Sequence, residues 1–396
     1  MISRDADYKC AILVALCMVV AVAYAACGGG GGGTSDRTTG GSGTLPGGNT
    51  KTPANPTPIA TATPELLIIV RGGNILDKVH VAPPGSIVAV APGVYGPFTL
   101  NASDVNGPIT LLADVSGTLT GSPAAAVIID AAHRQGGPAA AAITLSGIPE
   151  ASALVLDGFT LRGGTTAAIV VDGSPSTVIQ NCIAAPGRVE DTNPGDGMQF
   201  SGSDRSLLFN NLIFSNAGAG VRALGTDQLR IFNNTIYNNT DTGISIGSDQ
   251  EASPNTVVEN NIINDNVPFG IAVAANSVST YYGDYNLNSD LYASGTPMGP
   301  HDLNTGTSAV PHFISPTGAY PDFHLTADSP AIDQNPNTLA DLLSVLPNPA
   351  YVLSLLQKGT TQIDGIPDCQ FADLGYHYPT DQICGVPTPT PTQKKK

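Results

Sequence analysis

The stretch Ile231–Gly247 reads IFNNTIYNNTDTGISIG. It sets paired asparagines beside isoleucines, although strands ordinarily avoid Asn. The flanking sequence explains the pattern. Leu208–Ala223 reads LFNNLIFSNAGAGVRA and Val258–Val273 reads VENNIINDNVPFGIAV, so one phrase is written three times. Aligning the second Asn of each phrase, with one earlier copy, gives Asn181, Asn211, Asn234 and Asn261. Aligning the glycine that opens the next segment gives Gly197, Gly220, Gly243 and Gly270, at intervals of 23, 23 and 27 residues. Periods of this length mark solenoids.

Apolar columns run through the copies. One lies three residues before the Asn (Val178, Leu208, Ile231, Val258) and one two residues after it (Ile183, Ile213, Ile236, Ile263). A third follows the glycine (Met198, Val221, Ile244, Ile271). Three short strands per turn, each sending alternate side chains inward, would stack these columns as core layers. The asparagines then fall at bends, where backbone groups need partners. Asn tolerates the left-handed conformations of such bends. It can also bond to the Asn one coil away, since stacked strands lie about 4.8 Å apart. The expectation is a structural ladder of Asn181, Asn211, Asn234 and Asn261.

The repeats FNNLIFSNAGAGV, FNNTIYNNTDTGI and ENNIINDNVPFGI resemble coils of right-handed parallel β-helix proteins, the pectate-lyase-like superfamily. PPGSIVAVAPGVYGPFTL, Pro83–Leu100, resembles the opening of such helices in bacterial surface proteins. DFHLTADSPAIDQN, with the later FADLGYHYP, resembles their closing segment. The resemblance covers residues 65 to 378 and implies an all-β fold, a single-stranded right-handed parallel β-helix over 65–335. Looser copies such as ITLLADVSG, AVIIDAAHR, AAITLSG and ALVLDGFTLRGG bring the expected total to roughly ten coils. TLADLLSVLPNPAYVLSLLQKG reads as two short helices split by Pro347 and Pro349, so residues 336–386 are expected to cap or flank the C-terminal end.

The 396 residues carry a net charge of -16 with only 12% charged side chains, which argues against nucleic acid and anionic membrane surfaces as partners. The N-terminus is a targeting segment: Arg4 and Lys9 precede an apolar run to Ala26. Small residues before Cys27 and a following Gly tract resemble the lipobox of bacterial lipoproteins. That resemblance implies a signal peptide over 1–26 and lipidation of Cys27. Gly28 after the cysteine resembles the outer-membrane sorting pattern; the alternative is plain secretion after Ala23-Tyr24-Ala25. Residues 27–64 are a Gly/Thr/Pro-rich tether with an r.m.s. span of roughly 30–35 Å. Residues 387–396 form a low-complexity tail. Cys369 and Cys384 lie near each other outside the repeats, and an oxidising compartment would favour pairing them. Cys182 reads as a small core residue.

One copy breaks the rhythm. Asn181 to Gly197 takes 16 residues where the other three copies take 9, and the extra loop APGRVEDTNPGDG gathers Arg188, Glu190, Asp191 and Asp196. Insertions at one place on solenoid rungs often build a binding face, although a solvated acidic loop has the same composition. The outward positions beside it are Gln199, Arg222, Ser245 and Ala272, with Asp241 in the following bend. Oxygen ligands of this kind suit Ca²⁺. Resemblance to pectate lyases implies Asp196, Arg222 and Asp241 as a β-elimination site with Arg222 as base or its assistant. Against that, an ordinary arginine is a poor base. NTDTGISIG is similar to a polygalacturonase phrase, but the paired Asp-Asp and Gly-His-Gly elements of that family are missing. In STYYGDYNL, Tyr281 and Tyr282 could stack on sugar rings or pack as a lateral loop. The candidate binding residues are therefore Glu190, Asp191, Gln199, Tyr281 and Tyr282. No Cys/His spacing suggests zinc, and no cofactor is required.

Together these features lead to an exported, lipid-anchored cell-envelope protein, monomeric, that binds polysaccharide or serves as an adhesive or structural module. A lyase or glycoside hydrolase acting on an acidic polysaccharide is the second reading.

Overall fold

The computed structural model describes residues 66–132, 138–186, 193–304, 310–318, 321–334, 358–364, 366–367 and 373–380. Cys27, the tether, Glu190, Asp191, Cys369, Cys384, the tail and most of the two expected helices lie outside the described residues.

Three parallel sheets wrap one core. The first has nine strands, from Leu67–Val70 to Tyr282–Asp284; the second has eight, from Gly93–Tyr95 to Leu287–Asn288. The third has seven, from Phe98–Asn101 to Ile271–Val273. Neighbours within a sheet are successive turns, so the chain is a parallel β-solenoid. Period-two alternation points one column of each sheet inward. In the first sheet that column is Leu111, Leu156, Ile179, Leu208, Ile231 and Val258, each 0% exposed. Burying such a side chain is worth about 1.5–3 kcal/mol, and stacking repeats the gain at every rung.

Among the described residues seven turns carry a strand in all three sheets, fewer than the roughly ten expected. The excess came from the early segments. Ile109–Ala113, Val127–Asp130 and Ile143–Ser146 are the three sides of a single turn, not separate coils. Thr110 accordingly pairs with Val155, 45 residues further on. Past Leu287–Asn288 the stack continues only as isolated parallel bridges, Tyr292 on Ile271 and Leu303 on Leu287.

A one-residue register shift corrects the fourth copy. Ile183 pairs with Leu212, so Cys182 stands at the level of Asn211 and Asn181 at the level of Asn210. The N–H of Cys182 donates to Asn211 Oδ1 at 2.9 Å, the bond a ladder Asn makes elsewhere. Asn181 therefore belongs to an outer column with Asn210, Asn233 and Asn260, all at positive φ between 53° and 57° or, for Asn233, 52°. Because side chains alternate, the same shift seats Ile179 and Ala184 in the core instead of Val178 and Ile183.

Hydrogen-bonded ladders line all three corners. At the first, Asn211, Asn234, Asn261 and Asn286 each donate Nδ2 to the next Oδ1 at 3.0 Å, and Asn286 donates to Asp302 at 3.1 Å. At the second, Asn193, Asn216, Asn239 and Asn266 do the same at 2.8 Å, and Asn266 ends on Asp290 at 2.9 Å. The amide-to-amide bonds all run toward the C-terminal turns, so the last partner along each ladder needs only to accept; an aspartate, which has no donor when ionised, meets that need. At the third corner hydroxyls take over: Ser174, Ser203, Thr226, Ser253 and Ser277 each accept a backbone N–H from the turn before.

The described closing segment runs along the side of the rod. His377 N–H donates to Asn210 Oδ1 at 2.6 Å, Asn233 Nδ2 donates to the Asp373 carbonyl at 3.0 Å, and Gly375 N–H donates to the Asn260 carbonyl at 2.8 Å. The outer asparagine column is thus the docking strip for this segment. Beside it, Leu212, Phe214 and Tyr237 on the second sheet's outer face pack against Phe323 and Tyr376.

Candidate functional site

Asp196, Arg222 and Asp241 come together on the outer face of the third sheet. Gln199 and Arg222 are register partners on adjacent rungs. Arg222 Nε donates to Asp196 Oδ2 at 2.7 Å, and its Nη2 donates to Asp196 Oδ1 at 3.1 Å and to Asp241 Oδ2 at 2.8 Å. Asp196 Oδ1 also accepts the Ala219 N–H at 2.7 Å. The hydrogen bond to Asp196, with the charges of both aspartates, drives the guanidinium further above its usual value, against the opposing pull of burial. Burial alone would raise Asp241; the Thr242 N–H and Arg222 more than offset it and hold this carboxyl below the usual carboxylate range. The arrangement is a closed ion triad with its cation firmly protonated, which is the reverse of what a general base requires.

The tyrosine-rich stretch divides. Tyr281 packs against the main core, and its hydroxyl is buried without a hydrogen-bond partner among the described residues. Tyr282 is 49% exposed, with its hydroxyl 3.5 Å from Asp284. Asp284 is buried and accepts both the backbone N–H of His301 and a bond from its Nδ1, each at 2.8 Å. His301 stacks on Tyr285, with ring centroids 4.6 Å apart.

One rung away from Asp284 stands Glu259, which the sequence reading did not single out. Burial, aided by the charges of Asp284 and Asp302 and opposed by Arg230, raises its carboxyl to about 7. The folded value lies above the unfolded one, so the protonated side chain favours the fold. That contribution is complete below about pH 4.5 and is lost as pH rises through about 7. Glu259→Gln is therefore expected to stabilise the protein by about 2–3 kcal/mol at pH 8 and to change little at pH 4. Urea unfolding at the two pH values checks this; equal effects at both would assign Glu259 a different role.

A cavity of about 370 Å³ opens on the outer face of the second sheet. Tyr237 and Asn264, register partners on adjacent strands, form its floor with Asp265 and Asp290 from the second corner. The chain that returns after the last turn, including Pro311 and Phe313, forms the opposite wall. Tyr237 and Phe313 meet edge to face with centroids 6.0 Å apart. The sequence shows the asparagine and the aspartates, but the wall comes from a segment some fifty residues downstream, whose docking no local pattern announces. Among the described residues, no group of three or more His, Cys, Asp or Glu side chains is placed to hold a metal ion.

Residues 147–289 match the family described as the right handed beta helix region. No curated protein matches the sequence. Among solved structures, pectate lyase Pel9A is similar at 13% identity and a TM-score of 0.37, covering 68% of this chain and 90% of the lyase. A mutant of the periplasmic alginate epimerase AlgG is similar at 10% identity and a TM-score of 0.29, covering 53% of this chain; the chain spans 44% of that epimerase's length. The A-module of the Azotobacter vinelandii mannuronan C-5 epimerase AlgE4 is similar at 14% identity and a TM-score of 0.24, covering 56% of this chain and 81% of the module. With seven full turns of three parallel sheets and a family match across its most regular coils, the chain is a right-handed parallel β-helix repeat protein.

Proposed function

We propose that this is an exported cell-envelope protein, lipid-anchored at Cys27 and carried on the 27–64 tether, whose β-helix binds polysaccharide without cleaving it. The observation that carries the reading over catalysis is the state of Arg222. Three of its N–H bonds go to Asp196 and Asp241, and its charge is held, so the residue that would serve elimination is engaged in structure. Binding asks for less: a rigid scaffold and a concave surface that combines aromatic and polar groups. The cavity beside Tyr237 has both.

Incubating the mature protein with acidic and neutral polysaccharides, with and without Ca²⁺, separates the readings. The expected result is co-sedimentation with at least one polymer and intact chains by mass spectrometry. Unsaturated-end fragments that disappear in Arg222→Ala would instead establish a lyase at the triad. Metabolic labelling with palmitate, lost in Cys27→Ser, tests the anchor.

A further inference from the structure

We infer that the cavity on the second sheet is a subsite for a non-acidic sugar unit, held by Asn264 with Asp265 and Asp290. The inference rests on the polysaccharide-binding reading and adds to it a place and a ligand class.

Asn264 is the first observation. It is only 7% exposed and lies on the outward side of its strand, level with Tyr237. Its backbone carbonyl accepts the Asn238 N–H at 3.0 Å and Asn266 Nδ2 at 3.2 Å, so its main chain is satisfied. Its carboxamide has no hydrogen-bond partner among the described residues, while the asparagines at 239, 261 and 266 are bonded in ladders. A largely buried residue whose carboxamide opens onto a cavity offers one acceptor and two donors to a ligand.

The cavity's composition is the second observation. Its volume of about 370 Å³ falls in the range of small-ligand sites, roughly 300–1,000 Å³. Pro311 and Phe313 supply an apolar wall suited to the C–H face of a pyranose ring. Opposite it, Asp265 and Asp290 accept hydrogen bonds. Asp265 is the carboxylate neighbour of the Tyr237 hydroxyl, and Asp290 Oδ2 takes the N–H and Nδ2 of Asn266, each at 2.9 Å. Both carboxylates retain lone pairs for sugar hydroxyls or an ammonium group.

Charge decides the class. Among the described residues no Lys or Arg lines the cavity, and His312 at its rim lies 3.3 Å from Asp328. Burial and the neighbouring Asp265 already raise the Asp290 carboxyl, the mark of a place where more negative charge is unwelcome. A uronate carboxylate entering here would meet two like charges with no Lys or Arg among the described lining residues, a repulsive device that discriminates as surely as an attractive one. A neutral or amino sugar meets only acceptors and an amide.

The test is calorimetric titration of the full-length protein with cellotetraose, deacetylated chitotetraose and tetragalacturonate. The inference expects at least one of the first two to bind ten-fold or more tightly than tetragalacturonate. Asn264→Leu should weaken that binding at least ten-fold with an unchanged unfolding midpoint, and Asp265→Asn should narrow the discrimination against tetragalacturonate. Equal or tighter binding of tetragalacturonate overturns the inference. Binding that survives Asn264→Leu overturns it too, yet leaves the polysaccharide reading in place at another surface. If the wild-type protein binds no tetrasaccharide, the inference falls; binding to the longer polymers then decides the broader reading separately.

Discussion

Asn234→Ala is expected to lower the unfolding free energy by about 4–6 kcal/mol, a severe loss for one side-chain truncation. Asn234 is 0% exposed and engaged on every side. Its Nδ2 donates to Leu208 O, Phe232 O and Asn261 Oδ1, each at 3.0 Å. Its Oδ1 accepts the Asn211 N–H at 2.9 Å and Asn211 Nδ2 at 3.0 Å. Truncation strands the two Asn211 donors in a region closed to water, and each stranded group costs about 1–3 kcal/mol. The carbonyls lose one of their donors, and the small void adds a further cost. Urea denaturation of wild type and variant measures the difference. A loss below about 1 kcal/mol would mean that water or a local shift replaces the ladder. The position at Cys182 supplies a natural comparison. There the ladder begins with a residue that only has to donate its backbone N–H to Asn211, and a small apolar side chain suffices.

That boundary at Cys182 also marks where sequence reading met its limit. In the three regular copies the Asn-Asn pair, the aliphatic columns and the glycine hold one spacing, and every assignment there agrees with the register of the strands. In the fourth copy a single Asn stands beside Cys182, and identity of side chain favours aligning Asn181 with the ladder. Bond geometry puts Asn181 outside instead, in the left-handed position that Asn210, Asn233 and Asn260 also fill. Two asparagines in succession thus do different work: the first turns the backbone, the second fills the corner. The second ladder through Asn216, Asn239 and Asn266 lies in the same phrases at the same spacings, legible as a second Asn column beside the first. The hydroxyl ladder was harder to see, because Ser and Thr alternate in it. Of the site residues, Asp196, Arg222 and Asp241 were brought together from spacing alone, since each lies within a turn or two of the others. Glu259 and Asp284 carry no sequence signal, because the chemistry of Glu259 comes from burial, which no motif spells out. The cavity depends on residues 310 to 316 crossing back onto the second sheet, a long-range contact beyond any periodic signal.

Gly220→Ala is the other large expected effect, about 3–4 kcal/mol of lost stability, and its cause is crowding. Gly220 opens a strand of the third sheet and belongs to the column Gly197, Gly220, Gly243, Gly270. A Cβ placed on it would stand 2.6 Å from Ile236 Cγ2, 2.7 Å from the Gly243 carbonyl and 2.9 Å from Asn239 Nδ2. Gly197 and Gly243 meet the same three kinds of neighbour at 2.5–3.0 Å. The second-corner ladder fills the bend from inside while the next turn's carbonyl closes it from above, so the strand can begin only where no side chain exists. The isoleucine can rotate, but the carbonyl and the ladder amide are fixed by their own hydrogen bonds. Gly225→Ala provides the control. Gly225 has φ +57° and nothing within 4 Å of a built Cβ, so alanine there pays only for its left-handed backbone, about 1–2 kcal/mol. Unfolding midpoints of the two variants separate the causes. A larger loss at Gly220 makes close approach between turns the reason for the glycine column. Equal losses would reduce that column to backbone preference, and the stacking of ladder on carbonyl would then have more slack than these distances imply.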